Sequence, residues 1–469
     1  MRFATRLRTV ACVLITVGIF SPELAAQSPD SLQLTLATAL DIAEGNNPTY
    51  RQVSNSALLN GIDMRTTWFD QLLPQANLQL FSTAFTGNLQ RVGFDNFGNP
   101  IANPSADWNY FSRTTQQLVL NWDVRGRSLF QAHRRQSITN ESRDLGVVRA
   151  LTGLQVAIQR LYMDALEQRD LMRAEEELVE ARQIDLTVAE RLFSLALRTR
   201  VDVLNAELAA EQQLLALQQQ RATYEKALLA LRTQLGREEP VSLSLASEEL
   251  PIFDPSGLEV TGLVASALVV NPELRQSRLS IQSANLGVQE VKNAWWPSMS
   301  VGVNVYRRSQ GSRGASVFDI GINEPLEAQF SLNFSIPMFN NFFKNRQAME
   351  QAAVQLDNDR EAAREARLRI EETVRSALLE LSYQHEVLRL AGRSLEIAEE
   401  ALRLAREEYR IGTRTFEDLR TSFDSEATTR RQVITARHSF VDALLSLEEA
   451  VGTRVRGGPP PITSAAGGR

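Results

Sequence analysis

What this chain has little of narrows its chemistry first. It has one cysteine, Cys12, inside an apolar N-terminal run, so a chain cut after residue 26 has no disulfide, thiolate metal site or cysteine nucleophile. The histidines number three, His133, His385 and His438, each isolated on a helical stretch, which excludes a histidine-rich metal centre. None of the sequences G-x-S-x-G, the P-loop, G-x-G-x-x-G or H-E-x-x-H occurs, and the carboxylates are spread along helix faces without a distinguished pair. The expectation is a protein that is not an enzyme and that uses neither cofactor nor metal. An excess of base is also missing. Lys and Arg total 50 against 56 for Asp and Glu, and the arginines are interleaved with glutamates, which argues against a nucleic-acid partner.

Long hydrophobic runs are absent too. Only the N-terminus has one, Val10 to Phe20 after Arg2, Arg6 and Arg8, with Ala25 and Ala26 behind it. A basic start, a short apolar run and small residues form the pattern of a secretory signal, here 1–26. Its removal leaves 47 basic against 55 acidic residues, a net charge of -8.

Proline is absent, and glycine almost absent, from Arg127 to Leu195 and from Phe342 to Ile411. Each stretch is therefore predicted as one helix of nearly seventy residues, about 100 Å long at 1.5 Å per residue. Apolar residues recur every seventh position: Ile158, Ala165, Met172, Val179, Leu186 and Phe193 in the first, and Val374, Leu381, Leu388, Leu395, Leu402 and Tyr409 in the second. The second series lies 216 residues after the first, member for member. That predicts equivalent packing of two long helices in a coiled-coil or tunnel wall.

The duplication extends to everything around them. Thr35 to Glu44, a short amphipathic segment stopped by Gly45, and Leu258 to Val270 precede Asn47-Pro48 and Asn271-Pro272, each pair an N-cap followed by a first-turn proline. The segments opened by those pairs end at Trp68-Phe69 before Pro74 and at Trp295-Trp296 before Pro297. Alternating strands follow: Ala76, Leu78 and Leu80 against Asn77, Gln79 and Phe81, and Met299, Val301, Val303 and Val305 against Ser300, Gly302, Asn304 and Tyr306. Polar connections near 86–113 and 307–325 lead to partner strands. One carries Gln116, Leu118, Leu120, Trp122 and Val124 against Gln117, Val119, Asn121 and Asp123; the other is Leu326 to Pro337. Behind each long helix come a short turn and a returning helix that closes on Gly236 or Gly452, both suited to helix C-caps. The domain reading is thus 27–236 and 258–452 as two repeats, 237–257 as a linker, and 453–469 as a flexible tail.

Four strands do not close a membrane barrel, for which about eight is the smallest common number. Open strand edges are not tolerated in lipid, so a ring of two, three or four copies is required, with the helices in a matching ring. The rival reading is a periplasmic coiled-coil adaptor or structural protein. Aromatic residues at the strand roots, Trp68, Phe69, Trp295, Trp296, Phe339, Phe342 and Phe343, fit either a membrane-interface belt or packing between barrel and helices.

The repeated N-P start, the break into a strand pair, the long helix, the G-T-R-T turn and the return helix ending in L-G or V-G resemble the TolC-like outer membrane efflux channel family over residues 32–455. The resemblance implies an α+β membrane protein, each chain giving four strands to a trimeric barrel continued by a helical periplasmic tunnel. It implies a homotrimer in outer membrane lipid, a passive exit duct for efflux or type I secretion. A periplasmic adaptor (membrane fusion) protein and an inner-membrane RND or ABC transporter would open it. Carried onto this chain, Leu195, Ala196, Leu197, Arg198 and Thr199, with Ile411, Gly412, Thr413 and Thr415, are the adaptor-facing tips. Asp202, Tyr409 and Arg414 are latch residues of the periplasmic gate. Asp418 matches one aspartate of a constriction ring, Thr421 stands where a second is expected, and Asp424 lies farther along.

Overall fold

A computed structural model describes residues 32–91, 97–100, 102, 106–124, 126–237, 243–246, 250–293, 296–311, 324–336 and 342–455. The predicted signal, most of the predicted tail, Trp295 and Phe339 lie outside these residues. No helix among the described residues is long and apolar enough to cross a membrane.

The first half of the chain runs β1 (Leu32–Leu34), α1 (Leu36–Asn46), α2 (Pro48–Ala57), α3 (Asn60–Leu72), β2 (Gln75–Arg91), β3 (Ala106–Val124), α4 (Gly126–Ser194) and α5 (Arg200–Leu235). The second runs β4 (Leu243–Leu245), a 3-10 turn (Pro255–Gly257), α6 (Val260–Val270), α7 (Pro272–Asn293), β5 (Ser298–Gly311), β6 (Glu327–Ser335), α8 (Phe342–Arg410) and α9 (Phe416–Val451). Both long helices have 69 residues and both return helices 36.

The strands form one antiparallel sheet in the order β2-β3-β5-β6. Its register puts like with like. Ala76, Leu120, Val303 and Phe330 make one cross-strand row, and Trp122, Val301 and Leu332 make another. On the opposite face Asn121, Gly302 and Ser331 align, as do Gln79, Gln117, Tyr306 and Glu327. Among the described residues nothing covers the apolar face: Phe330 is 69% exposed and Phe334 65%.

The strands are longer than their alternation suggested. β2, β3 and β5 run into the stretches predicted as polar connections, because paired backbone is satisfied there whatever the side chains. The face of Phe81 is a second correction. Between Gln79 and Ser82 the register shifts, three steps on β2 opposing two on β3, from Gln79↔Gln117 to Ser82↔Thr115. That bulge inserts one residue and reverses parity, so the apolar series Ala76, Leu78 continues as Phe81, Phe85, Leu89.

Two corrections fall on the N-terminal helices. Gly45 does not stop α1, which continues to Asn46, and the helix opened by Pro48 breaks at Leu58 and Leu59. There the backbone tightens to i→i−3 bonds, and Asn60 turns to α4: its carbonyl accepts from Asn140 Nδ2 at 3.1 Å, and its Nδ2 donates to Asp144 at 2.8 Å. In the second repeat α7 is continuous over 22 residues.

The stretch 237–257 is more than a connection. β4 pairs in parallel with β1, Leu245 is buried, and the Tyr162 hydroxyl of α4 donates to Leu34 O at 3.1 Å, while Arg169 Nη1 donates to Leu245 O at 3.2 Å. This small sheet, α1 and α6 form an apolar layer against α4, α8 and α9 through Ile158, Leu166, Val374, Leu381, Phe440 and Leu447. Gly236 and Gly452 end α5 and α9 at φ +71° and +74°, the left-handed region that costs a side chain about 1–2 kcal/mol.

A Cβ on Gly236 would also lie 2.5 Å from Asn46 O, whereas on Gly452 it would meet only Val270 at 3.4 Å. Both alanine variants should therefore lower the thermal unfolding midpoint in detergent, Gly452→Ala by the equivalent of about 1 kcal/mol and Gly236→Ala by at least twice that. Equal shifts would contradict the α1–α5 junction described here.

Candidate functional site

The two hairpin tips are built alike. Each long helix ends in a Schellman arrangement: Leu197 N donates to Leu192 O and Ala196 N to Phe193 O in the first, Thr413 N to Glu408 O and Gly412 N to Tyr409 O in the second. The left-handed residue is Gly412 in one tip, φ +88°, and Ala196 in the other, φ +58°. Ala196 is the only non-glycine residue among those described with positive φ, and it bears the strain glycine avoids. Each return helix opens on a capping box, Thr199 with Asp202 and Thr415 with Asp418.

These caps define what the expected gate residues do within one chain. Asp202 accepts from Thr199 N at 3.1 Å and from its hydroxyl at 3.0 Å; Asp418 accepts from Thr415 in the same way, and those bonds hold its carboxyl below the usual range. Arg414 pairs with Glu408 at 2.5 Å. Tyr409 is 1% exposed, packs edge-on against Phe416, and its hydroxyl has no hydrogen-bond partner. Burial, followed by the nearby charge of Asp202, raises its pKa. The fold thus brings Asp202 to Tyr409 and turns Arg414 to its own tip.

Arg198 joins the two tips. Its Nη2 donates to Tyr409 O at 2.6 Å and to Arg414 O at 2.7 Å, and its guanidinium stacks 4.3 Å from the centre of the Tyr409 ring. Such charged, stacked contacts are stronger than an exposed ion pair. The sequence placed Arg198 on the surface of a tip; its reach across to the other tip was not legible there.

Above the tips, a row of polar contacts crosses from α4 to α9: ion pairs join Arg182 to Asp424 at 2.5 Å, Glu175 to Arg431 at 2.5 Å, Glu177 to Arg430 at 2.9 Å and Arg160 to Glu449 at 2.9 Å, and His438 Nε2 lies 3.2 Å from Asp170 Oδ2. Asp185 of α4 meets Arg406 of α8 at 3.1 Å, its carboxyl raised chiefly by burial. Arg182, its side chain 4% exposed, also lies 3.5 Å from the centre of the Phe423 ring. Asp424 is thus paired with a buried arginine.

The pairing of these residues went unrecognised in the sequence, although the repeat held the signal. Shifting Val201, Leu208, Leu215 and Ala222 of α5 by 216 positions lands on Glu417, Asp424, Arg431 and His438 of α9. Where one return helix is apolar, the other is charged. Removing one partner of such a pair costs about 3 kcal/mol when the other stays buried, whereas replacing both with apolar residues can be neutral. Asp424→Ala should therefore lower the free energy of unfolding in urea by about 3 kcal/mol, and Arg182→Met with Asp424→Leu should recover most of it. An Asp424→Ala effect below about 1 kcal/mol would reduce the pair to a surface ion pair.

Among the described residues no group of three or more His, Cys, Asp or Glu side chains converges as a metal site. Comparison with known proteins adds the following. Residues 263–453 match the family model of the outer membrane efflux proteins. The chain is 24% identical over 298 residues to outer membrane protein TolC of Salmonella enteritidis, a match that covers 62% of this chain and 58% of that protein, less than two thirds of the relative's length. In fold it is similar to CusC, with TM-score 0.70 and 17% identity over 90% of this chain and 93% of that one. It is also similar to the Campylobacter jejuni channel CmeC, with TM-score 0.68 and 16% identity over 89% and 85%. The open state of the Neisseria gonorrhoeae channel MtrE gives TM-score 0.65 and 18% identity over 89% of each chain.

Proposed function

We propose that the chain is a TolC-like outer membrane factor, a protein of the outer membrane whose helices reach into the periplasm, and that three copies form a passive exit duct for a tripartite efflux or type I secretion system; the family-model match, the likeness to TolC and the shared fold support this reading. The observation that carries the reading is what one chain leaves unpaired. The edges β2 and β6 have no partner strand in the sheet, and its apolar face is bare. Lipid accepts the face but not the edges, so β6 of one copy pairs with β2 of the next. Three copies give twelve strands, a count supported by the family likeness.

The helices repeat the logic. They pack in the row α5, α4, α9, α8, so α5 and α8 are its outer members. Each has an exposed heptad stripe: Val201, Leu208, Leu215 and Leu229 on α5, and Tyr383, Leu390, Ile397 and Leu404 on α8, continued by Ile411 in the tip. Both stripes begin at a tip and the helices run in opposite directions. Laid antiparallel, they pair Ile411 with Val201, Leu404 with Leu208, Ile397 with Leu215, Leu390 with Ala222 and Tyr383 with Leu229. An apolar seam closes the ring between copies, and the ion-paired α4–α9 seam lies within each copy.

In this reading the tips, Leu195 to Thr199 and Ile411 to Thr415, meet the periplasmic adaptor, and an inner-membrane RND or ABC transporter supplies the cargo. Asp202, Tyr409 and Arg414 latch the closed gate, and Asp418 lines its constriction. A periplasmic adaptor would have no use for a sheet with one bare apolar face, which weighs against the rival reading.

The seam is testable because Cys12 is the chain's only cysteine. Leu208→Cys with Leu404→Cys should give dimers and trimers on non-reducing gels after mild oxidation, and neither single variant should give trimers; a double variant that stays monomeric would refute the seam. The latch is read in planar bilayers. Asp202→Ala or Arg414→Ala should raise single-channel conductance severalfold, and unchanged conductance in both would remove these residues from the gate.

A further inference from the structure

Toward the end of the sheet where β2 leads to β3 and β5 to β6, the polar face changes from amide to cation. The row of Gln79, Gln117, Tyr306 and Glu327 is followed outward by Ser82, Thr115 and Arg308, and then by Ala84, Arg113 and Gln310. Arg113 and Arg308 thus stand diagonally on neighbouring strands, on one face. Arg307, the residue between Tyr306 and Arg308, pairs with Gln116 and belongs to the opposite face, with Val305 and Leu118.

Both arginines of the polar face are exposed, and among the described residues no carboxylate is in ion-pair contact with either. Arg308 is held in place: its guanidinium stacks 4.3 Å from the centre of the Tyr306 ring, and the Tyr306 hydroxyl is hydrogen-bonded to Glu327. Glu327 is the one carboxylate that the ladder sets beside them, so this level carries two positive charges against one negative. Alternation puts Asp107 and Asp123 on the same face, but at about 3.3 Å per residue they stand roughly 20 and 33 Å from Arg113 along β3.

In the ring of three proposed above, on which this inference rests, the apolar face meets lipid and these arginines face the bore. Twelve strands spaced about 4.8 Å and tilted about 40° close at a radius of roughly 12 Å, of which an arginine spans about half, so the three pairs come within roughly 10 Å of one another. That is close to the Debye length of about 8 Å at physiological salt, so their fields add across the bore. Six arginines face three glutamates there. Rings of arginine favour anions in pores, and the planar guanidinium fork matches oxyanions.

We propose that the six arginines hold one polyvalent oxyanion, of the polyphosphorylated kind, on the axis of the duct near its outer mouth. The station draws anionic cargo through the barrel and slows cations at the exit. Its sign is opposite to that of Asp202 and Asp418 at the tips, so the selectivity of the whole channel mixes its two ends and a probe applied from one side is needed.

Inositol hexakisphosphate applied to single channels in planar bilayers, from the side of the strand connections, tests this. The expected result is reversible block that weakens as salt is raised, with affinity at least about tenfold lower in Arg113→Gln and in Arg308→Gln, because each removes three charge-assisted contacts per ring. Both positions are exposed and their backbone pairing does not depend on the side chain, so the sheet is retained. Arg307→Gln, one residue away on the lipid-facing side, should keep the wild-type affinity. Calorimetry on the detergent-purified protein should count one probe per three chains. Absence of block from that side, block undiminished in the double variant Arg113→Gln with Arg308→Gln, or equal weakening by Arg307→Gln would each overturn the proposal. Trimers that bind no probe would remove the station and leave the ring standing; a protein of single chains would remove both.

Discussion

One chain cannot satisfy its own sheet. β2 and β6 present unpaired N–H and C=O groups, and the face between them is apolar and uncovered. In water the face would aggregate, and in lipid the edges would each leave a row of backbone groups unpaired. A closed ring in lipid resolves both, and the rest of the molecule is arranged to match it. Two equal repeats set two hairpins side by side, and two 69-residue helices descend from them with outer stripes that match when antiparallel.

The two helical seams divide the work. The seam proposed between copies is apolar and fixes the ring without needing exact polar matches. The α4–α9 seam within a copy is held by ion pairs such as Arg182 to Asp424 and Glu175 to Arg431, which set a register through direction and charge. Such pairs add little net stability, but a shift of one turn would leave buried charges unpaired. At the tips Arg198 adds a further cross-contact over Tyr409. A duct that changes its opening can do so along the polar seam while the apolar seam keeps the copies together.

Much of the fold was legible because its signals are long. Seventy residues without proline and a heptad series repeated after 216 positions leave little alternative to paired long helices, and the φ-positive caps fall on Gly236 and Gly452 as their sequence suggested. Errors arose where one residue changes the phase. The bulge between Gln79 and Ser82 moves Phe81 to the apolar face, and the i→i−3 bonds at Leu58 and Leu59 break a helix that periodicity alone would continue. At the tips the capping boxes were readable from T-x-x-D spacing, but the reach of Arg198 to a tip 216 residues away was not. That contact depends on two turns meeting in space, which no local pattern encodes.

The central claim is that three chains share one barrel. Native mass spectrometry of the detergent-extracted protein tests it most directly: the account predicts a dominant species of three chains that survives mild collisional activation, and a stable, fully folded single chain would contradict it.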